Sequence, residues 1–307
     1  MSTTVNRAGL ARDAYKGAAT TLCAGCGHNS ITNHMIKALY ELGVEPHLLA
    51  KMSGIGCSSK TPAYFVETAH GFTIGLGQFM HMIRRNVDCT YIIEDNGTYG
   101  LTKGQFSATA DLGSVQKKGA VNTFQPIDPC AVALALGCSF VARSFSGDGK
   151  QVVPLIKAAI AHRGTAILDI ISPCVTFNDH DGSTKSYSWV KDHEESIADV
   201  SFIPYFEEVQ VDYEPGTVRD VRLHDGSHIL LKKLGDDHDP TDRRAAIKVI
   251  EEGRAEGHLV TGLLYVDAEM SDFATTEHIP QRPLKDLGED ELRMTRDEFV
   301  QFMSEFA

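Results

Sequence analysis

Residues 88–94 (DCTYIIE) form a short, nearly continuous apolar run, and similar runs fill 138–145 (CSFVARSF) and 165–171 (TAILDII). Continuous rather than alternating apolar runs belong to strands buried on both faces, as in parallel sheets. Residues 47–52 read as a further strand. Between these runs the spacing turns helical. Ile31, Met35, Leu39 and Leu42 recur along a helix that Asn29 or Ser30 can cap and Gly43 stops. Residues 61–68, 73–85 and 151–162 read as further helices. The alternation predicts an α/β fold with a parallel sheet.

Three of the strands end at Ser53, Asp95 and Ser172. Each is followed at once by distinctive chemistry: Gly54-Ile55-Gly56-Cys57, then Asn96-Gly97, then Pro173-Cys174. Open α/β sheets bind ligands in the crevice beyond the carboxyl ends of their strands, so these distant segments are expected to meet. One step breaks the rhythm. Helices 61–68 and 73–85 follow one another with only His70-Gly71 as a connection, and a strand is missing there.

After about residue 202 the alternation dissolves. Residues 207–212 and 218–232 look hairpin-like, with turns at Glu214-Pro215-Gly216 and Asp225-Gly226. Asp239-Pro240 opens a helix over 243–256, a strand fills 259–267, and an acidic helical tail runs from Glu289. The expected division is one domain over 1–202 and an α+β C-terminal extension over 203–307.

The formal charge is −12, from 29 Lys plus Arg against 41 Asp plus Glu, which argues against nucleic acid as a partner. The basic pairs Arg84-Arg85 and Lys117-Lys118 read as solvated faces. Residues 1–13 lack the apolar core of a secretory signal, and no apolar run reaches membrane-spanning length. The expectation is a cytoplasmic protein without membrane contact, whose seven cysteines are not a disulfide framework.

Cys23 and Cys26 form a CxxC turn, a bite suited to zinc or an iron-sulfur cluster. Alone, the same pair is equally a redox dithiol or two buried thiols. No second CxxC completes a zinc ribbon. Cys57 and Cys174, single cysteines at sheet ends, bring the number of thiolates able to converge to four; spacing does not separate zinc from an iron-sulfur cluster. Cys89, Cys130 and Cys138 lie in apolar patterns and read as small buried hydrophobes.

The ordered motifs CAGCGH, SGIGCSSK, EDNGTYGLTKGQFSAT and PCVTFND, spread over residues 22–193, resemble the β subunit of 2-oxoacid:ferredoxin oxidoreductases, of the 2-oxoglutarate type. The resemblance implies the thiamin-diphosphate-binding fold, with one 4Fe-4S cluster on Cys23, Cys26, Cys57 and Cys174. It further implies Mg²⁺ on the Asn96 side chain and the Thr98 carbonyl. Gly56, Cys57, Ser58, Lys60, His70, Asn96, Tyr99, Gly100 and Leu101 would border thiamin diphosphate. Leu101 and Lys103 would line the substrate pocket, where a cation at Lys103 pairs with the distal carboxylate of 2-oxoglutarate and has no counterpart in pyruvate. The implied partners are an α subunit, ferredoxin, the 2-oxoacid and coenzyme A.

The sequence departs from the family at one point. The family carries a Gly-Asp-Gly magnesium motif on a strand just upstream of the helix at 73–85, and here nothing stands between Gly71 and Thr73 to supply it. Gly147-Asp148-Gly149 lies after a later strand and reads as an ordinary turn. A zinc-stabilised scaffold with a degenerate thiamin site is the competing expectation.

Overall fold

The structure, a computed structural model, describes residues 5–49, 56–60, 75–100, 104–115, 120–172, 174, 209–222, 228–280 and 282–306. The expected helix at 61–68, the start of the one at 73–85, and the gap between Gly71 and Thr73 lie outside the described residues.

Helix α1 (Gly27–Leu42) buries Ile31, Met35, Ile36 and Leu39 along one face. It ends where Gly43 turns left-handed at φ 61° and gives its N–H to the Leu39 and Tyr40 carbonyls. Its start corrects the expected cap: Cys26, not Asn29 or Ser30, occupies the N-cap. Asn29 is engaged elsewhere, its amide donating to the Cys23 carbonyl and its oxygen accepting from Thr20, which ties the cysteine turn to the helix. The strand expected over 47–52 is also corrected where described. Residues Pro46–Leu48 form a 3₁₀ turn, consistent with a proline that brings a fixed φ and no N–H for a ladder.

Helix α2 (Leu76–Arg84) leads into strand β1 (Cys89–Asp95). A small antiparallel pair follows, β2 (Thr98–Tyr99) with β3 (Gln105–Phe106), then α3 (Pro129–Ala135), β4 (Phe140–Phe145), α4 (Gly149–Ala161) and β5 (Thr165–Ile171). Beyond them come β6 (Val218–Arg222), β7 (His228–Lys233), α5 (Arg243–Ala255) and β8 (Leu259–Val266). Among the described residues the main sheet runs β1-β5-β4-β8-β7-β6. The first three strands are mutually parallel, as expected. Strand β8 then pairs antiparallel with β4 and parallel with β7, and β6 closes an antiparallel hairpin on β7.

Of the hairpin-like stretch expected over 207–212 and 218–232, residues 218–222 and 228–232 pair as a hairpin, whereas the described part of 207–212 does not join it. Residues 209–212 join no ladder; Val209 is buried beside Phe145, and Val211 N–H bonds to the Gly147 carbonyl. Helix α5 takes Asp242 as its cap, the carboxylate accepting from Arg244 and Ala245 N–H.

Side-chain alternation splits the core into two layers. Ile92, Ala142 and Leu168 face α1 and α4, whereas Ile93, Val141 and Ile167 face α2, α3 and α5. Cys130 and Cys138 are fully buried, and burial pushes the Cys138 thiol up to about 12 and Cys89 up to about 11. These thiols are packing groups.

The Gly147-Asp148-Gly149 turn has a structural explanation at each residue. A Cβ on Gly147 would fall 1.9 Å from the Val209 carbonyl oxygen, and one on Gly149 would fall 2.8 Å from the His34 ring. Asp148 caps α4 by accepting from Gln151 N–H and pairs with Lys233 at 2.7 Å.

Short helices α6 (Phe273–Thr276), α7 (Glu289–Leu292) and α8 (Arg296–Ser304) end the chain, the last opened by a Thr295/Glu298 capping box. None of the described residues from 277 to 306 is buried. Among the described residues no helix is long and apolar enough to cross a membrane.

Candidate active site

The parallel strands β1 and β5 end side by side, and Ser172 N–H bonds to the Asp95 carbonyl at 2.7 Å. Against this edge lies the first turn of α1. His28 is buried, with Nδ1 and the Ser172 hydroxyl 2.5 Å apart, and with Nε2 3.5 Å from the Asn96 amide nitrogen. Burial lowers His28 to about 4, so the ring is neutral near pH 7. A neutral ring facing the Asn96 amide at Nε2 carries its proton on Nδ1, directed at Ser172. One histidine thus joins the Cys26 turn, the Asn96 turn and the segment leading to Cys174.

The CxxC turn depends on Gly25, whose φ of 76° lets Cys26 N–H reach the Cys23 carbonyl. Gly56, at φ 89°, precedes the 3₁₀ turn Cys57–Lys60, where Ser59 bonds back to the Gly56 carbonyl through both its N–H and its hydroxyl. Cys26 is buried, Cys23 is exposed, and Cys57 and Cys174 are half-buried. Burial pushes Cys26 up to about 12, and the charges of Cys174, Glu94 and Cys23 add to that rise. Cys57 is raised by burial first and then by Cys174, Lys60 opposing, with Cys23 and Glu94 adding. Cys23 and Cys174 thus bear on both Cys26 and Cys57, which brings thiols from three separate segments to one place. A bound cationic centre would relieve the repulsion that Cys26 and Cys57 feel there. The donor set is soft and fits an iron-sulfur group. Among the described residues no three His, Cys, Asp or Glu side chains close on a single metal ion.

The turn after β1 is closed by its own side chains. Asp95 accepts from Gly97 N–H at 3.1 Å and from the Thr109 hydroxyl at 2.5 Å; Asn96 accepts from Thr98 N–H at 3.0 Å. Burial raises Asp95, against those two bonds and the more distant Arg143. Asn96 and the Thr98 carbonyl remain hard oxygen donors of the kind Mg²⁺ takes. Tyr99 pairs with Gln105, its carbonyl accepts from Gly104 N–H, and Gly100 is buried. His70, Leu101 and Lys103 lie outside the described residues, as does the side chain of Ser58.

A cavity of about 720 Å³ opens from this turn, lined by Asn96, Thr98, Asp128, Arg143, Asp169 and Cys174 among others. On its floor Arg143 bonds Asp169 at 2.8 Å and Asp128 at 2.5 Å, all three on or beside the central strands. Burial raises Asp169 despite Arg143. At Asp128 burial works the same way, but Arg143 and the Ala131 N–H outweigh it and the carboxyl is lowered.

Sequence reasoning missed Glu94, His28, Ser172 and this arginine network. The signal was present: Glu94, Arg143 and Asp169 are charges set inside otherwise apolar strand runs, where an isolated charge needs a partner.

Residues 69–170 match the model of the thiamine pyrophosphate enzyme C-terminal TPP-binding domain. A 2-oxoacid:ferredoxin oxidoreductase β subunit from Saccharolobus solfataricus is 38% identical over 191 residues, covering 51% of this chain and 63% of that one. The 2-oxoglutarate synthase subunit KorB of Methanocaldococcus jannaschii is 33% identical over 187 residues, covering 50% of this chain and 69% of that one. The chain belongs to the family of 2-oxoacid:ferredoxin oxidoreductase β subunits. It is also similar to a solved 2-oxoglutarate:ferredoxin oxidoreductase from Magnetococcus marinus with 2-oxoglutarate, coenzyme A and succinyl-CoA bound. That similarity has a TM-score of 0.69 at 28% identity, covering 95% of this chain and 96% of the other. The chain spans 63% of the Saccharolobus β subunit and 59% of an Aeropyrum pernix one. The Saccharolobus match extends over 191 aligned residues yet takes up only 51% of these 307, so this chain runs shorter than that relative inside the matched stretch.

Proposed function

We propose that this chain is the thiamin-diphosphate and iron-sulfur subunit of an enzyme that oxidatively decarboxylates 2-oxoglutarate. The overall reaction would take CO₂ from the 2-oxoacid, give its acyl group to coenzyme A and two electrons to ferredoxin, and the same site would run the reverse carboxylation. The observation that carries this reading is that Cys26 and Cys57, from separate segments, both lie within reach of Cys23 and Cys174 at the strand ends beside the Asn96 turn, in a chain of this family.

Thiamin diphosphate would supply the carbanion chemistry and the cluster the one-electron chemistry. The chain's residues hold and orient. The four cysteines would ligate the cluster; Asn96 and the Thr98 carbonyl would bind Mg²⁺; Gly56, Cys57, Ser58, Lys60, His70, Tyr99, Gly100 and Leu101 would border the cofactor. His28 fixes the cysteine turn against the Asn96 turn, and the cavity gives a walled space of cofactor size. The cofactor-bearing part is 1–202, followed by the extension 203–307, and the setting is the cytoplasm. An α subunit would complete the thiamin site. The exposed apolar residues Leu284, Leu292, Phe299, Phe302 and Phe306 of the C-terminal tail support a protein partner.

The test is anaerobic purification and reconstitution with the α subunit, then viologen reduction with a panel of 2-oxoacids plus coenzyme A. Brown protein with about four irons per chain that reduces viologen supports the proposal. Colourless protein with one zinc supports a degenerate scaffold, a reading favoured by the shortened match and by the lack of a Gly-Asp-Gly just upstream of the helix at 73–85.

Substrate choice is assigned to Lys103. Lys103→Leu is expected to raise the KM for 2-oxoglutarate about tenfold or more, the value of one lost charge-assisted pair, and to leave the pyruvate KM within about twofold. Equal changes in the two KM values refute the assignment.

A further inference from the structure

The two oxygens offered to Mg²⁺, that of the Asn96 side chain and the Thr98 carbonyl, come from residues on either side of Gly97. That glycine is held by both its N–H and its carbonyl. Its N–H donates to Asp95 Oδ1 at 3.1 Å, and its carbonyl accepts from Ser107 N–H at 3.0 Å. Its φ of 68° is left-handed, and a Cβ there would fall 3.4 Å from the Ala110 Cα, so the chain returning from β3 packs directly on the turn. One hydroxyl joins the two grips. Thr109 donates to Asp95 Oδ1 at 2.5 Å and stands 2.8 Å from Ser107 Oγ, while Thr109 N–H donates to Ser107 Oγ at 3.2 Å. Because the Thr109 proton points at Asp95, its oxygen accepts from the Ser107 hydroxyl, and the three side chains form one continuous run of hydrogen bonds. This clasp closes the segment from Asp95 to Thr109 at the foot of the β2–β3 ladder, in which Thr98 pairs with Phe106 and Tyr99 with Gln105.

Mg²⁺ demands near-octahedral geometry and tolerates little misplacement of its donors. A glycine between two donors is the residue least able to hold their spacing by itself. We propose that Thr109 is a positioning residue for the thiamin-diphosphate site: its hydroxyl clasps the Asp95 carboxyl to Ser107 and so fixes the Asn96 and Thr98 oxygens before Mg²⁺ arrives. This rests on the reading of Asn96 and Thr98 as Mg²⁺ donors. Thr109 acts through Asp95 and Gly97, and no covalent bond to it forms or breaks. The hydroxyl carries the role, not the bulk of the side chain. Valine at this position keeps the volume and removes the donor, whereas serine keeps the donor.

The experiment uses the full chain reconstituted with the α subunit, unaltered or carrying Thr109→Val or Thr109→Ser. Equilibrium dialysis measures thiamin diphosphate binding across a series of Mg²⁺ concentrations. At low Mg²⁺, Thr109→Val is expected to raise the Kd for thiamin diphosphate about 10–100-fold, the usual cost of losing a group that orients a metal ligand. The deficit narrows as Mg²⁺ is raised, because mass action refills a weakened metal site. Thr109→Ser stays within about threefold of the unaltered complex, since the hydrogen bond to Asp95 survives. Hydrogen exchange followed by mass spectrometry, without cofactor, reads the turn itself: the peptide holding the Gly97 and Thr98 amides exchanges about tenfold faster in the valine variant and is unchanged in the serine variant. If the valine variant does not fold, Thr109→Ala set against Thr109→Ser makes the same comparison. A serine variant as weak as the valine one, or a deficit that Mg²⁺ does not narrow, overturns the proposal. Equal binding by the unaltered and valine complexes removes this inference alone. An unaltered complex that binds no thiamin diphosphate at any Mg²⁺ concentration removes the reading of Asn96 and Thr98 and this inference together.

Discussion

Cys57→Ala, purified without oxygen, is expected to hold less than about one iron per chain where the unaltered protein holds about four, and to lose the broad brown absorbance. Cys57 stands on a 3₁₀ turn, half-buried, and feels the charge of Cys174 and Cys23. On the proposed ligation, removing one of four thiolates would leave a cluster with an open iron, prone to oxidation and disassembly. Cys130→Ala is the control. That thiol stands in the first turn of α3, fully buried against β4, and its loss is expected to cost stability but no iron. Iron and acid-labile sulfide assays decide. Full iron retention in Cys57→Ala overturns the ligand assignment, and iron loss in Cys130→Ala shows that the losses report misfolding.

The second large effect is on stability. Arg143→Met is expected to lower the free energy of unfolding by about 3–5 kcal/mol, because it leaves Asp169 buried, and Asp128 half-buried, without their cation. Arg143 and Asp169 face each other in the β4–β5 register, so no side-chain movement within the sheet can separate them cheaply. The pair together need not be strongly stabilising, since desolvation offsets much of the attraction. Arg143→Met with Asp169→Asn should therefore recover a large part of the loss. Urea denaturation of the three variants checks this. A single-variant loss under about 1 kcal/mol, or no recovery in the double variant, contradicts the argument.

Much of the sheet was legible because local pattern and burial agree. Strand 165–171 is apolar at almost every position, and the structure buries nearly all of it between two helical layers. Elsewhere tertiary contacts overrule local signals. Asn29 has the side chain of a helix cap, yet tying the cysteine turn employs it more fully, and the helix starts a turn early. Pro46 turns the opening of the 47–52 pattern into a 3₁₀ turn. The antiparallel entry of β8 beside β4 could not be read from periodicity, which gives a strand's faces but not its neighbours. At the site, the cysteines were visible through their spacing, whereas His28 and Ser172 were not. A lone histidine and a lone serine carry no pattern; only the meeting of two strand ends gives them a role.

The position of β8 bears on how such a chain can change over time. Strand β4 is buried at every residue, with β5 along one edge and β8 along the other, and a register shift at Val141/Ala142 fits β8 to it. The C-terminal segment therefore supplies a wall of the same core that carries the cysteine and Asn96 turns. It cannot be exchanged between relatives as an independent module, and recombination there succeeds only if the incoming strand reproduces that irregular register.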